Sequence, residues 1–275
     1  MYPLVDWPLA ARAHITGVFT DIDDTLTTDG AITPDALAAL AALQAAGVEV
    51  IAITGRPVGW SAPFAQSWPV NAIVAENGAV LLRNLRQKHA EPKHSLPGAL
   101  LKSYYQDGPT RHTNLARLQR AAARVLHEVP GTTLAQDSAG RETDIAIDHS
   151  EFAHLSPAQI DAVLHVLHRE GLHATVSSIH INAWIGGHDK LTGAHWAVQN
   201  LLGRDLALEM DHWVFVGDST NDQRMFEAFE NSVGVANVRR FVAQLARLNR
   251  LPRYITDSER GAGFAEVARA VLAAR

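Results

Sequence analysis

The most constraining feature of the sequence is an apolar run, residues 15–19, that leads into three closely spaced carboxylates, Asp21, Asp23 and Asp24. Such a run is typical of a buried strand, and an open α/β sheet binds its ligands where its strands end. Asp21 and Asp23 would be neighbours at the strand exit, where like charges repel unless a cation separates them. A divalent cation with oxygen ligands, most simply Mg2+, meets that need. The alternative is a polar turn, since Asp and Thr both favour turns.

Strand and helix patterns alternate after this stretch. Residues 34–46 predict a helix, with Thr33 as its N-cap and Gly47 at its C-terminal end. Residues 48–53 and 72–75 are short apolar runs that predict buried strands. The pattern returns later as a helix at 191–202, a strand at 213–216, a helix at 222–230, a strand at 232–235, an edge strand at 254–256 and a helix at 263–270. This order predicts an α/β fold with a parallel sheet between helices.

A different pattern separates the two halves. Residues 84–110 are rich in polar residues, Pro and Gly, which indicates irregular or hinge-like structure. Beyond them the sequence predicts helices at 111–129 and 156–170, and half-exposed strands at 141–147 and 173–183. Such elements suit a small α+β module with one sheet face in water. We therefore expect a core formed by residues 1–83 and 187–275, and an inserted domain at 84–186.

Composition excludes several classes of protein. The 275 residues carry a formal net charge of -5, which argues against a nucleic-acid partner. No apolar run approaches a membrane span, and the N-terminal residues do not resemble a secretion signal, so we expect a cytoplasmic protein with no membrane partner. The absence of cysteine excludes disulfides and thiolate chemistry. Oligomeric state stays open.

Three predicted strands end in polar groups that should meet at one edge of the sheet. These groups are Asp21, Asp23, Thr54, Gly55, Asp218 and Asp222, and Lys190 opens the helix that precedes the third of these strands. Four acids near strand ends, a hydroxyl and one lysine suit a phosphate and a hard metal ion. Each of these features also has a purely structural interpretation when taken singly. The segment after Thr54 fits a common turn, the Gly217–Asp222 loop fits a helix cap, and Lys190 fits a surface lysine.

The chemistry of each group predicts a role in phosphoryl transfer. Asp21 can act as the nucleophile, since a carboxylate is ionised at neutral pH and can form an aspartyl-phosphate. Asp23 can protonate the leaving alcohol and then activate water. Asp218 would share the metal with Asp21, and Asp222 would bind it through water or orient the other ligands. The remaining groups, Thr54, Gly55 and Lys190, can contact the transferring phosphoryl group.

These residues resemble the haloacid dehalogenase (HAD) superfamily of phosphohydrolases. The resemblance rests on the segments Asp21–Thr25, Ile53–Arg56, Lys190 and Gly217–Asp222, with Ala75–Ala79 similar to a signature of the sugar-phosphatase branch. It implies a Rossmann-like core with an inserted cap, Mg2+ dependence and an aspartyl-phosphate intermediate. It also implies that the main-chain carbonyl of Asp23 is a metal ligand and that Asn221 belongs to the outer metal shell.

The inserted domain resembles, loosely, the caps of sucrose-phosphate and mannosyl-3-phosphoglycerate phosphatases. Its candidate substrate-binding residues are Arg141, Asp144, Ser177, Ser178, His180 and Asn182. His180 and Asn182 are favoured because they alternate with two isoleucines and so share one sheet face. Arg56 is a further candidate, since its planar fork suits an anionic group. The alternative for the cap residues is an exposed polar sheet face.

The sequence therefore predicts a Mg2+-dependent phosphatase acting on a small phosphorylated metabolite, in particular a sugar phosphate. Two alternatives stay open. A phosphomutase would return the phosphoryl group to another hydroxyl and release little phosphate. A phosphate-binding or phospho-accepting regulatory protein would not need the inserted domain.

Overall fold

The computed structural model describes residues 1–84 and 100–275. Its strands, in chain order, are β1 (Tyr2–Pro3), β2 (Gly17–Thr20), β3 (Thr27–Thr28), β4 (Ala31–Ile32), β5 (Glu49–Ile53), β6 (Ala72–Ala75), β7 (Val80–Asn84), β8 (Leu100–Tyr104), β9 (Thr133–Leu134), β10 (Asp144–Asp148), β11 (His173–Val176), β12 (His180–Trp184), β13 (Trp213–Gly217), β14 (Ser232–Gly234) and β15 (Tyr254–Ile255). Its α-helices are α1 (Leu9–Ala13), α2 (Pro34–Ala45), α3 (Val58–Ser67), α4 (Gly108–Glu128), α5 (Pro157–Arg169), α6 (Lys190–Leu202), α7 (Gln223–Ala228), α8 (Val242–Arg247) and α9 (Arg260–Leu272).

Among the described residues, nine strands form a central sheet in the order β1-β15-β14-β13-β2-β5-β6-β7-β8. The strands from β1 to β6 in this order run parallel, whereas β7 and β8 are antiparallel additions at one edge. The α/β fold with a parallel sheet is thus confirmed. The parallel strands β2 and β13 end side by side in the middle of the sheet, which brings the segments after them together.

Helices cover both faces of this sheet because the buried strands carry apolar side chains on alternate sides. Val18 and Val50 face one apolar cluster, which includes residues of α2, α3 and α9. Phe19 and Ile51, the next residues along the same strands, face a second cluster that includes residues of α6, α7 and α8. Thr33 caps α2 as predicted, since its side chain accepts a hydrogen bond from the backbone N–H of Ala36.

A second, antiparallel sheet with the order β11-β12-β10-β9 forms the cap, and helices α4 and α5 pack on one of its faces. Ile147 and Ile181 point toward these helices. The opposite face turns toward the core rather than toward water, and Asp144, His180 and Asn182 on it are 1–2% exposed. The prediction of half-exposed cap strands was therefore wrong for β10 and β12, because the core domain covers their polar face, whereas β11 is part-exposed.

The sheet also corrects the predicted start of the insertion. Leu100–Tyr104 pairs with Val80–Asn84 as the edge of the main sheet, so the core extends to Tyr104, beyond residue 83. The prediction of irregular structure at 84–110 is wrong for this strand and for the start of α4 at Gly108, which Asp107 caps. The rest of that prediction falls on residues 85–99, which lie outside the described residues. The strand at Tyr254–Ile255 is not an edge, because Tyr2–Pro3 pairs with it.

Candidate active site

Two neighbouring strands deliver the first acids of the site. Asp21 follows β2 directly, and its backbone N–H donates to the carbonyl of Val216 on β13 at 2.9 Å, which continues the parallel pairing past the strand end. Asp218 follows β13. The two carboxylates are 4% and 1% exposed, respectively, so both are buried at the same edge of the sheet. The structure thus brings the segments after β2 and β13 together at one edge of the sheet, as predicted.

A lysine holds two of the acids. Lys190, the first residue of α6, lies with its Nζ 2.8 Å from Asp21 Oδ1 and 2.7 Å from Asp222 Oδ1. Burial lowers the pKa of Lys190, but the charges of Asp21 and Asp222 outweigh that effect and raise it above its usual value. Burial raises the pKa of Asp21 to about 7 against the opposing effect of Lys190. The ammonium is therefore a permanent charge beside Asp21.

The acids Asp21, Asp218 and Asp222 form a group whose carboxylate oxygens lie within 4.8 Å of one another. Asp218 Oδ1 is buried without a hydrogen-bond partner among the described residues, while Asn237 Nδ2 donates to its Oδ2 at 3.1 Å. Burial raises the pKa of Asp218 well above its usual value. When all three carboxylates are ionised, the single ammonium leaves an excess of negative charge, which a bound cation would offset. An orphan oxygen in an all-oxygen donor set fits a hard cation such as Mg2+.

Asp222 differs from the other two acids because both of its oxygens are occupied. Its Oδ2 accepts the backbone N–H groups of Asp218 and Ser219 at 3.0 and 3.2 Å, and its Oδ1 takes Lys190. A Cβ on Gly217 would lie 2.5 Å from Asp222 Oδ2, so only glycine leaves room for this arrangement. Asp222 therefore shapes the loop that carries Asp218, in line with the predicted orienting role.

Asp23 is not a member of the acid group, but it lines a small pocket together with Asp21. Arg56 Nε lies 3.0 and 3.1 Å from its two carboxylate oxygens, so the side chain is held by a guanidinium. The main-chain carbonyl of Asp23 stays a predicted metal ligand, as the family resemblance implies. The next residue, Asp24, has a φ of 55°, and its carbonyl accepts from Asn237 Nδ2 at 3.0 Å. Asn237 thus ties the loop after β2 to Asp218.

The loop after β5 lies against the cap. Thr54 Oγ1 accepts the backbone N–H of Arg56 at 3.0 Å, which closes the turn. The carbonyl of Gly55 accepts from Arg141 at 3.0 Å and from Asn182 Nδ2 at 3.2 Å. A Cβ on Gly55 would lie 2.1 Å from Asn182 Nδ2, so glycine permits this close approach of the cap. Asn221, on the loop after β13, lines the same small pocket of the site.

Two of the predicted substrate-binding residues of the cap, Arg141 and Asp144, bind each other. Arg141 donates to Asp144 at 2.9 Å and to Asp137 at 3.1 Å. Burial raises the pKa of Asp144 to about 8 even though Arg141 lies beside it. Arg141 and Asp144 therefore join the cap to the Gly55 carbonyl, which is a structural connection between the domains.

Three more of the predicted cap residues surround the strand turn above Asp23. Ser177 bonds the backbone of His180 in the turn between β11 and β12, whereas Ser178 borders the space beside Asp24. The ring Nε2 of His180 lies 2.8 Å from a carboxylate oxygen of Glu151. The structure thus places Ser178 and His180 near the core acids.

Sequence reasoning missed three acids that connect the domains, and one of them, Asp137 of the cap, lies 3.2 Å from an Arg56 nitrogen. Glu76, fully buried, accepts the backbone N–H of Val58 in the core and those of Glu142 and Thr143 in the cap. Glu151 binds Arg56 at 2.9 Å across the domain boundary. Glu76 belongs to the Ala75–Ala79 segment that resembles the sugar-phosphatase signature, so it could have been selected from sequence. Glu151 lies in a loop that matches no motif.

An entrance cleft of about 610 Å³ opens beside Asp23. Residues of both domains line it, among them Asp24, Arg56, His149, Glu151, Phe152 and Arg260. The cleft leads to the acid group because Asp218 also borders it. It is a space between the two domains that reaches the acid group.

The family of the chain follows from comparison with known proteins. The haloacid dehalogenase-like hydrolase family matches residues 18–167 and 180–267, and the chain belongs to that family. It is similar to the phosphoglycolate phosphatase of Methanothermobacter thermautotrophicus, with 26% identity over 258 residues that cover 92% of this chain and 96% of the relative. The chain is therefore a HAD-type hydrolase, as the motifs predicted.

Solved structures share the fold. A protein from Thermoplasma acidophilum has a TM-score of 0.69 at 16% identity and covers 94% of this chain and 98% of its own. The sucrose-phosphatase of Synechocystis, solved with sucrose and phosphate, has a TM-score of 0.63 at 16% identity, covering 93% and 97%. The HAD core with an inserted cap is thus confirmed.

Within the described part of the chain, every helix is too short or too polar to cross a bilayer.

Proposed function

We propose that the protein is a Mg2+-dependent phosphatase that hydrolyses a phosphomonoester of a small metabolite through an aspartyl-phosphate on Asp21. A sugar phosphate is the first candidate substrate. The observation that carries the proposal is the position of Asp21, a buried carboxylate 2.8 Å from Lys190 and grouped with Asp218 and Asp222. The match to the family and the phosphatase among its relatives support the same reaction class.

In the first step, an Asp21 oxygen attacks phosphorus and the bond from phosphorus to the alcohol oxygen breaks. Lys190, fixed on Asp21 Oδ1, orients the carboxylate for this attack. Asp23 donates a proton to the leaving alcohol, which needs it because an alkoxide is a poor leaving group. The Thr54 hydroxyl and the Gly55 N–H can donate to phosphoryl oxygens, where charge is spread in the transition state.

In the second step, Asp23 removes a proton from water, which attacks the phosphorus of the aspartyl-phosphate and restores Asp21. Mg2+ would be held by Asp21, Asp218 and the main-chain carbonyl of Asp23, with Asp222 orienting them. When bound, it supplies positive charge that lets an anionic nucleophile approach an anionic phosphate. Arg56 keeps the Asp23 side chain in place for both proton transfers.

Release of free phosphate from a panel of phosphorylated metabolites, with Mg2+ and with EDTA, tests the proposal. We expect release that depends on Mg2+ and is abolished in Asp21→Asn. Asp211→Asn is a matched control, since Asp211 has a side chain 73% exposed and away from the site. Release by Asp21→Asn at the parental rate would refute the nucleophile. Conversion of one hexose phosphate into its isomer, without free phosphate, would favour a phosphomutase.

A further inference from the structure

A preorganised loop of the cap faces the entrance cleft. The loop comprises residues 149–152 and follows β10. The carboxylate of Asp148, 1% exposed, accepts successive backbone N–H groups at 3.0–3.2 Å, those of Ser150, Glu151, Phe152 and Ala153. A buried carboxylate with four such donors fixes the backbone, because each broken bond would leave charge unsatisfied. The 149–152 loop therefore presents its side chains to the cleft in a set position.

Glu151 is the charged group of this loop. Its Oε1 lies 2.9 Å from an Arg56 nitrogen and its Oε2 lies 2.8 Å from His180 Nε2. The hydrogen bond from His180, followed by Arg56, lowers the pKa of Glu151 to about 2, so the group is ionised at neutral pH. A carboxylate has about four acceptor positions, and these contacts leave it capacity for a ligand hydroxyl. The side chain is 23% exposed and borders the cleft.

The arginines that line the cleft in the described part of the chain are already paired with acids of the protein. Arg56 contacts Asp23, Asp137 and Glu151. Arg260 contacts Asp24 and Asp29. The third cleft arginine, at position 240, is 55% exposed and pairs with a glutamate outside the cleft. These arginines already bind acids of the protein. A carboxylate on the alcohol part of a substrate would therefore lie beside negative charges without a cation of its own, and like charges in contact are strongly disfavoured.

We propose that the 149–152 loop selects esters whose alcohol is neutral and polyhydroxylated, with Glu151 accepting a hydrogen bond from a ligand hydroxyl. This rests on the proposed phosphatase function and narrows its substrate class to sugar and polyol phosphates, as opposed to phosphorylated carboxylic acids such as phosphoglycolate. Phe152, 60% exposed on the same loop, offers an apolar surface to the carbon skeleton of such a ligand. His149 and Ser150 add further polar groups at the cleft wall.

Two substrates that differ in one group test the inference. Glycerol 3-phosphate carries a terminal CH2OH where 3-phosphoglycerate carries a carboxylate. We expect the protein with Mg2+ to favour glycerol 3-phosphate in kcat/KM by roughly tenfold or more, since a like-charge contact costs at least that factor. Glu151→Gln keeps the shape of the side chain and removes its charge, so it should lower this preference about tenfold. Phosphoglycolate should behave like 3-phosphoglycerate.

Glu128→Gln provides a charge-matched control, because Glu128 lies in the cap but pairs with Arg169 at the surface. It should leave the preference unchanged. A parental preference for the carboxylate substrates would overturn the inference, as would an equal loss on both substrates in Glu151→Gln. Either result leaves the proposed function intact if p-nitrophenyl phosphate is still hydrolysed in an Asp21-dependent way. Loss of that dependence would instead refute the function itself.

Discussion

Lys190 should be essential to the stability of the metal-free protein. Its side chain is 3% exposed and contacts two buried carboxylates, those of Asp21 and Asp222, at 2.8 and 2.7 Å. Removing one partner of a buried ion pair costs about 3–5 kcal/mol, because the other charge stays buried without compensation. We therefore expect Lys190→Met to lower the free energy of unfolding in EDTA by about 3–5 kcal/mol. The loss arises from charge, since methionine retains most of the apolar stem.

Urea denaturation of both proteins, in EDTA and in Mg2+, measures this effect. Mg2+ should stabilise Lys190→Met more than the parent, because the bound cation replaces the positive charge that the variant lacks beside its buried acids. Lys102→Met is the control, since Lys102 pairs with Glu142 and is 40% exposed, so its loss should cost less than about 1 kcal/mol. Equal stabilities of Lys190→Met and the parent in EDTA would refute the assigned electrostatics. Activity should fall about 100-fold or more in the same variant.

Three further outcomes follow from the contacts between cap and core. Gly55→Ala would place a Cβ 2.1 Å from Asn182 Nδ2, so kcat/KM should fall about tenfold or more and recover in part when Asn182→Ala is added. Glu76→Gln replaces an acceptor of three backbone N–H groups, so urea denaturation should show a loss of about 2–3 kcal/mol.

The third outcome concerns pH. The lowered pKa of Glu151 gives stability that is complete above its usual value of 4.5 and is lost as pH falls toward about 2. The gap in unfolding free energy between the parent and Glu151→Gln should be about 1–2 kcal/mol near neutrality, after allowance for solvent screening, and should close in acid. A gap that widens in acid would contradict this sign.

The positions of the polar groups that meet at the edge of the core sheet could be predicted from sequence because each follows an apolar run directly. Asp21, Thr54 and Asp218 all stand at the ends of buried parallel strands, and the sheet alone then brings them together. Lys190 had a weaker local signal, its place at the start of a predicted helix, and the family resemblance added to it. The structure gives the physical reason, since two carboxylates more than 30 residues away in sequence hold its ammonium.

The cap could not be predicted to the same depth because its contacts are long-range. An alternating strand indicates which residues share a face, but not whether that face meets water or another domain. His180 and Asn182 were correctly placed on one face, yet the core that buries them is remote in sequence. The same limit hid the pairing of Leu100–Tyr104 with the main sheet and the bond between Arg56 and Glu151.

The most direct test of the central claim is to trap the phosphorylated enzyme. Asp23→Asn should form the aspartyl-phosphate from p-nitrophenyl phosphate, whose leaving group needs no proton, but should hydrolyse it slowly. Acid quenching in the first turnover, followed by peptide mass spectrometry, should locate one phosphoryl group on Asp21, matched by a burst of p-nitrophenol. Phosphate on another residue, or turnover with no phosphorylated Asp21, would contradict the account.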